Sequence, residues 1–151
     1  MSRIVADVID ALYGRCANEL DEVFVLDGPG PSNDPGDYLA IGATDPESTS
    51  MTSAAEGEDD WAGVGDAAAR ESRSTLTCVA YSWNGDGDQK AARDAVWRLR
   101  ADVCAMVRAD KSLGVPGVLW LNSSRFSFDQ NQGDFGAEAR LVFVIEIQTY
   151  F

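Results

Sequence analysis

The chain has 151 residues, 45% of them hydrophobic, with 25 Asp and Glu against 12 Lys and Arg and a formal net charge of −13. This predicts one globular domain, residues 1–151, with a core of its own, and disfavours tight binding to a phosphate backbone, which needs clustered cations. Histidine is absent, and with it the commonest general base and metal ligand, so the expectation is a protein that is not an enzyme and holds no metal or cofactor.

The first residues are amphipathic. Val5, Val8, Ile9, Leu12 and Cys16 share one stripe at helical spacing, and Ser2 can cap a helix running to about Asn18. Glu22–Asp27 reads as a short strand ended by Gly28-Pro29-Gly30-Pro31, and Tyr38–Gly42 as a second strand after another turn cluster. The Gly28–Gly36 stretch lacks the lysine and the following helix of a phosphate-binding loop.

Residues Ala43–Ser74 are polar, acidic and poor in β-branched hydrophobics. That composition predicts a long mobile loop inserted into the domain. Trp61 stands beside Glu58, Asp59 and Asp60 in this stretch, as an anchor either on its own domain or on a neighbour. Residues 1–75 carry 16 acidic and 4 basic side chains, whereas residues 76–151 carry 9 and 8.

Thr75–Trp83 is β-branched and aromatic, a third strand. Asn84-Gly85-Asp86-Gly87-Asp88 hints at a calcium loop, but Gln89 and Ala95 stand where the pattern needs Gly and Glu. Asp86 or Asp88 is better read as the cap of a helix over about Gln89–Asp110. Its core stripe is Ala92, Val96, Leu99, Val103, Met106 and Val107, while Trp97 and Cys104 fall roughly 120–140° off it at 3.6 residues per turn. Lys90, Arg93, Arg100 and Arg108 flank this second patch, and six of the twelve basic residues lie between Lys90 and Lys111. A Trp there is covered by the acidic loop of its own chain or sits at a subunit contact.

The last third reads as a long antiparallel hairpin. Val118–Phe128 leads to a polar tip over Asp129–Asp134, and the return run places Leu141, Phe143, Ile145 and Ile147 on one face with a period of two. An isolated hairpin is marginal in water, so the other elements must cover that face. The predicted architecture is α+β: a mainly antiparallel sheet with two helices on one face. Cys16, Cys78 and Cys104 are too scattered for a disulfide framework or a zinc site and read as buried thiols. No apolar run approaches the roughly 18 to 20 residues needed to cross a bilayer, and no signal-peptide core follows Met1-Ser2-Arg3, so a chain folded in a cytoplasm, with no membrane partner, is expected.

The order of elements, together with Val25-Leu26-Asp27-Gly28, Asn33–Gly42 and the acidic insertion, resembles the tail terminator proteins of long-tailed bacteriophages, particularly those infecting actinobacteria. The resemblance implies a virion protein at the head-proximal end of the tail. It would form a hexameric ring on the finished tail tube, stop its polymerisation and offer a surface to the head–tail connector. DNA would pass through without specific binding. Glu58, Asp59, Asp60 and Trp61 on the acidic side, and Arg93, Trp97, Arg100 and Arg108 on the basic side, are the candidate contacts between subunits or with the tube. Three alternatives stand beside this: another neck or head-completion protein, an acidic DNA-mimic inhibitor, and a small-ligand or enzyme domain.

Overall fold

A computed structural model of the chain describes residues 3–21, 23–29, 36–46, 51–61 and 70–150, with the backbone alone at Asp60, Trp61, Arg70 and Glu71. Helix α1 spans Ile4–Glu19, β1 Phe24–Asp27, β2 Tyr38–Ile41, β3 Ala55–Trp61 and β4 Arg70–Asn84. Helix α2 follows over Gln89–Ala109, then β5 over Val118–Gly133 and β6 over Gly136–Tyr150. The strands form one sheet in the order β1-β2-β4-β6-β5, with β3 also on β4. Among the described strands only β1 and β2 run parallel; the other pairs are antiparallel. This is the expected α+β architecture.

Alternation along β4 and β6 decides which face is covered. Leu76, Cys78 and Ala80 of β4 and Leu141, Phe143, Ile145 and Ile147 of β6 are fully or almost fully buried, in one cluster with Val8, Leu12 and Cys16 of α1 and the predicted stripe of α2. Each such aliphatic or aromatic side chain removed from water contributes about 1.5–3 kcal/mol. Both helices therefore lie on the same face of the sheet. They also touch each other, with Cys16 Sγ 3.9 Å from Met106 Sδ and Arg15 paired with Asp110 at 3.3 Å. A smaller cluster on the opposite face gathers Tyr38, Ala40, Ala43 and Val79.

Local signals explain the helix ends unequally. Asp88 caps α2, its side chain accepting from the Ala91 amide at 3.1 Å. The Asn84 side chain accepts from the amides of Asp86 and Asp88, so the would-be calcium loop is a turn that aims the helix. At α1 the N-cap is Arg3, without a side-chain cap bond, and the proposed cap Ser2 lies outside the described residues.

Two expectations are corrected. The Ala43–Ser74 stretch is not a structureless loop: Ala55–Trp61 forms β3, and β4 begins at Arg70, five residues before the predicted strand start at Thr75. The physical reason is the length of β4. Strand β2 pairs with only Tyr81 to Cys78, so the other half of that edge would be left with unpaired backbone groups. The chain returns to satisfy them: on that one edge the Thr77 carbonyl accepts from the Gly42 and Ala43 amides, the Thr77 amide donates to the Ala54 carbonyl, and β3 continues the edge to Arg70. Residues 47–50 and 62–69 of the stretch lie outside the described residues. The second correction is the hairpin tip. Asp129–Gly133 continues β5, and the reversal is confined to Asp134 and Phe135. Gly136, at φ 121°, takes the turn into β6, where an added Cβ would lie 2.3 Å from the Asn84 carbonyl oxygen.

Candidate subunit-contact site

The off-core stripe of α2 lies along β5, the edge strand. Descending the helix, Gln89 donates to the Gln132 side chain and Arg93 to that of Gln130 at 3.2 Å. Trp97 meets Phe128 at 5.5 Å and Phe126 edge-on at 5.1 Å between ring centroids. The Arg100 guanidinium sits 5.1 Å from the Phe126 ring centre and 5.8 Å from that of Trp97, and donates to Ser123 Oγ at 3.0 Å. These positions recur every three or four residues on α2 and face a strand whose partners lie two residues apart, so a helix period meets a sheet period along one seam. Trp97 is thus covered by the closing hairpin of its own chain, not by the acidic stretch. Phe126 and Phe128, at period two, were the sequence signal for this partner.

Below Arg100 the seam opens. A cavity of ≈ 470 Å³ lies between α2 and the first residues of β5, walled by Arg100, Cys104, Arg108, Lys111, Leu121 and Asn122 among others. Among the described residues its wall carries three cations and no carboxylate. Arg100 Nε is buried without a hydrogen-bond partner, the single such side-chain atom among the described residues. A buried donor left unsatisfied costs about 1–3 kcal/mol. Arg108 stands in the last turn of α2, where a cation is favoured by the helix dipole.

The acidic candidates lie on the other edge. Glu56, Glu58 and Asp59 are exposed on β3, whose backbone pairs with β4 alone among the described strands. Asp60 and Trp61 hold their places in the ladder opposite Glu71 and Arg70, and their side chains lie outside the described set. On the open face of the sheet, Glu56, Glu58 and Glu146 surround Arg73 and Trp120 in a shallow groove of ≈ 480 Å³. The basic and acidic candidate residues are therefore not brought together within one chain.

Burial acts on two of the thiols. It pushes Cys16 up to about 12, with the nearby Glu19 carboxylate adding to the effect, and raises Cys78 further. Cys104, half-buried, lines the cationic cavity. Among the described residues no group of three or more Cys, Asp or Glu side chains is placed to hold a metal ion.

No protein-family model matches the chain, and no curated protein matches it by sequence. Its fold is similar to that of a chain in a solved structure described as the virion of a native gene transfer agent particle, with a TM-score of 0.58 and 13% identity, covering 100% of both chains. At that identity the likeness is one of fold.

Proposed function

We propose that the protein is a structural component of a phage-type virion, assembling as a ring on the head-proximal end of the tail tube. There it ends tube polymerisation and presents the surface that joins the head connector. The observation that carries this reading is the full-length fold likeness to a chain of a gene transfer agent virion. The order of elements, shared with tail terminators, supports the finer role. A ring is a closed heterologous assembly and needs two different matching surfaces on each subunit; a cationic cavity at one edge of the sheet and an acidic strand at the other meet that requirement. In this reading the protein does no chemistry, and the net charge of −13 keeps the ring from gripping the DNA that traverses it.

The test is tube growth. Purified tail-tube protein is polymerised with and without this chain, and tube lengths are read by electron microscopy. Shortened tubes with a ring at one end are expected. Unchanged lengths and bare ends overturn the terminator role, and a ring bound to connector alone would assign the chain to the neck instead.

A further inference from the structure

We propose that the cavity between α2 and β5 receives the acidic strand β3 of a second copy of this chain, with Arg100, Arg108 and Lys111 facing the carboxylates of Glu56 and Glu58, which share one side of the strand, and Asp59 adding to the acidic charge of the edge. The inference rests on the ring reading above in needing copies of the chain to touch, and it names the contact that joins them.

Three observations carry it. First, each side lacks what the other holds. The cavity wall is cationic and, among the described residues, contains no carboxylate. None of Arg100, Arg108 and Lys111 is ion-paired among the described residues, and neither are Glu56, Glu58 and Asp59. Glu58 stands opposite Arg73 in the ladder without forming an ion pair.

Second, one copy cannot satisfy itself. Two strands, β4 and β6, separate β3 from β5. Three strand spacings amount to roughly 14 Å, well beyond the reach of a glutamate side chain.

Third, the two surfaces stand at the same level. Glu56 pairs with Thr75, Thr75 with Glu146, and Glu146 with Asn122, so a single row across the sheet starts at the acidic strand and ends at the cavity rim. A neighbour placed beside this edge has its Glu56 at the level of the cavity without sliding along the strands; the side chains of the row project from the open face, so a tilt about the edge is what turns Glu56 toward α2. The contact is head to tail, which closes into a ring or runs on as a filament. Charges on an edge strand also discourage indiscriminate strand pairing, leaving a cationic receptor as the preferred partner. At the receiving edge Leu119 and Trp120 are exposed apolar side chains beside the same row, surface that a neighbour would cover.

A charge swap decides the matter. One variant carries Arg108→Glu and Lys111→Glu, both at exposed positions that leave the Arg100 seam intact; the other carries Glu56→Lys, Glu58→Lys and Asp59→Lys. Sedimentation velocity at low salt reads association, with thermal melts reporting the fold. Wild-type protein is expected to self-associate, and each variant alone to weaken association by about tenfold or more, as for a lost close charge pair at an interface. Their equimolar mixture should restore it, because every contact in an alternating, even-membered assembly is again between opposite charges. Unweakened association of either variant, a mixture that stays apart, or wild-type protein that is monomeric at its highest soluble concentration overturns the contact. Should a swap variant not fold, the milder Arg108→Gln and Glu58→Gln are read instead, and each must weaken association and reduce its salt dependence. Failure here leaves the terminator reading to the tube-length assay with wild-type protein, which uses no variant.

Discussion

The helix-covered face of the sheet and the β3 edge share a strand, β4, yet they are held by different forces. On the covered face, Leu76, Cys78 and Ala80 are fully buried against α1, α2 and β6. A few residues away on the same strand, β3 is joined through backbone pairs, and its side chains at Glu56, Glu58 and Asp59 are in water. Apolar burial is spread over many contacts and is lost cooperatively, whereas an exposed edge ladder opens locally at small cost. The molecule thus keeps its stability in β2, β4 and β6 under the helices, and leaves its acidic edge free to be altered or occupied without endangering the fold.

The strongest way to break this comparison is Phe143→Ala. Phe143 is fully buried in the middle of β6, and removing such a ring costs about 3–5 kcal/mol. Urea unfolding should show that loss with an unchanged m-value. A cost near that of a surface substitution would mean the covered face is not where stability resides.

The buried thiols sharpen the same point through pH. In the unfolded chain Cys16 and Cys78 ionise around their ordinary value of 9.0, whereas in the fold burial holds both in the neutral form, Cys16 up to about 12. Their contribution is complete below pH 9 and is lost as the pH climbs toward the folded values. The slope is about 1.4 kcal/mol per pH unit for each thiol. Melting temperatures measured from pH 8 to 11 should fall, and Cys16→Ala should flatten part of that fall. A pH profile identical in the variant would show that the thiol does not sense the core.

The smallest global effect belongs to Gly57→Ala. A Cβ at Gly57 would lie 2.5 Å from Ser74 Oγ and 2.8 Å from the Arg73 carbonyl oxygen, so β3 must pull away from β4. Hydrogen exchange should speed up at the paired amides of 55–61 and 70–76 while the global unfolding free energy moves by less than about 1 kcal/mol. A large global loss would place β3 inside the cooperative core and erase the contrast between edge and face.

Side-chain periodicity made the covered face legible. The alternation Leu141, Phe143, Ile145, Ile147 and the α2 stripe from Ala92 to Val107 are buried as their spacing requires, and Asp88 caps α2 as its position suggested. Such patterns state which side of an element avoids water, and they need no knowledge of the partner. The second stripe of α2 was legible as a stripe too, but its partner was not. Trp97 and Arg100 could have met any apolar or acidic surface, and only the placement of β5 at the sheet edge set them against Phe126, Phe128 and Ser123.

Strand β3 shows the limit most plainly. Ala55-Glu56-Gly57-Glu58-Asp59-Asp60-Trp61 is rich in residues that strands usually avoid, and taken alone it is a loop. By itself the sequence determined the fold class, the two helices, the closing hairpin and the buried positions, because those follow from where apolar side chains recur. Tertiary structure decided that the acidic stretch is a strand, that β1 and β2 run parallel, and that the cationic cavity and the carboxylates stand at opposite ends of one row. Pairing is made by backbone groups that nearly every residue carries alike, so which edge needs a partner is known only once the other strands are in place.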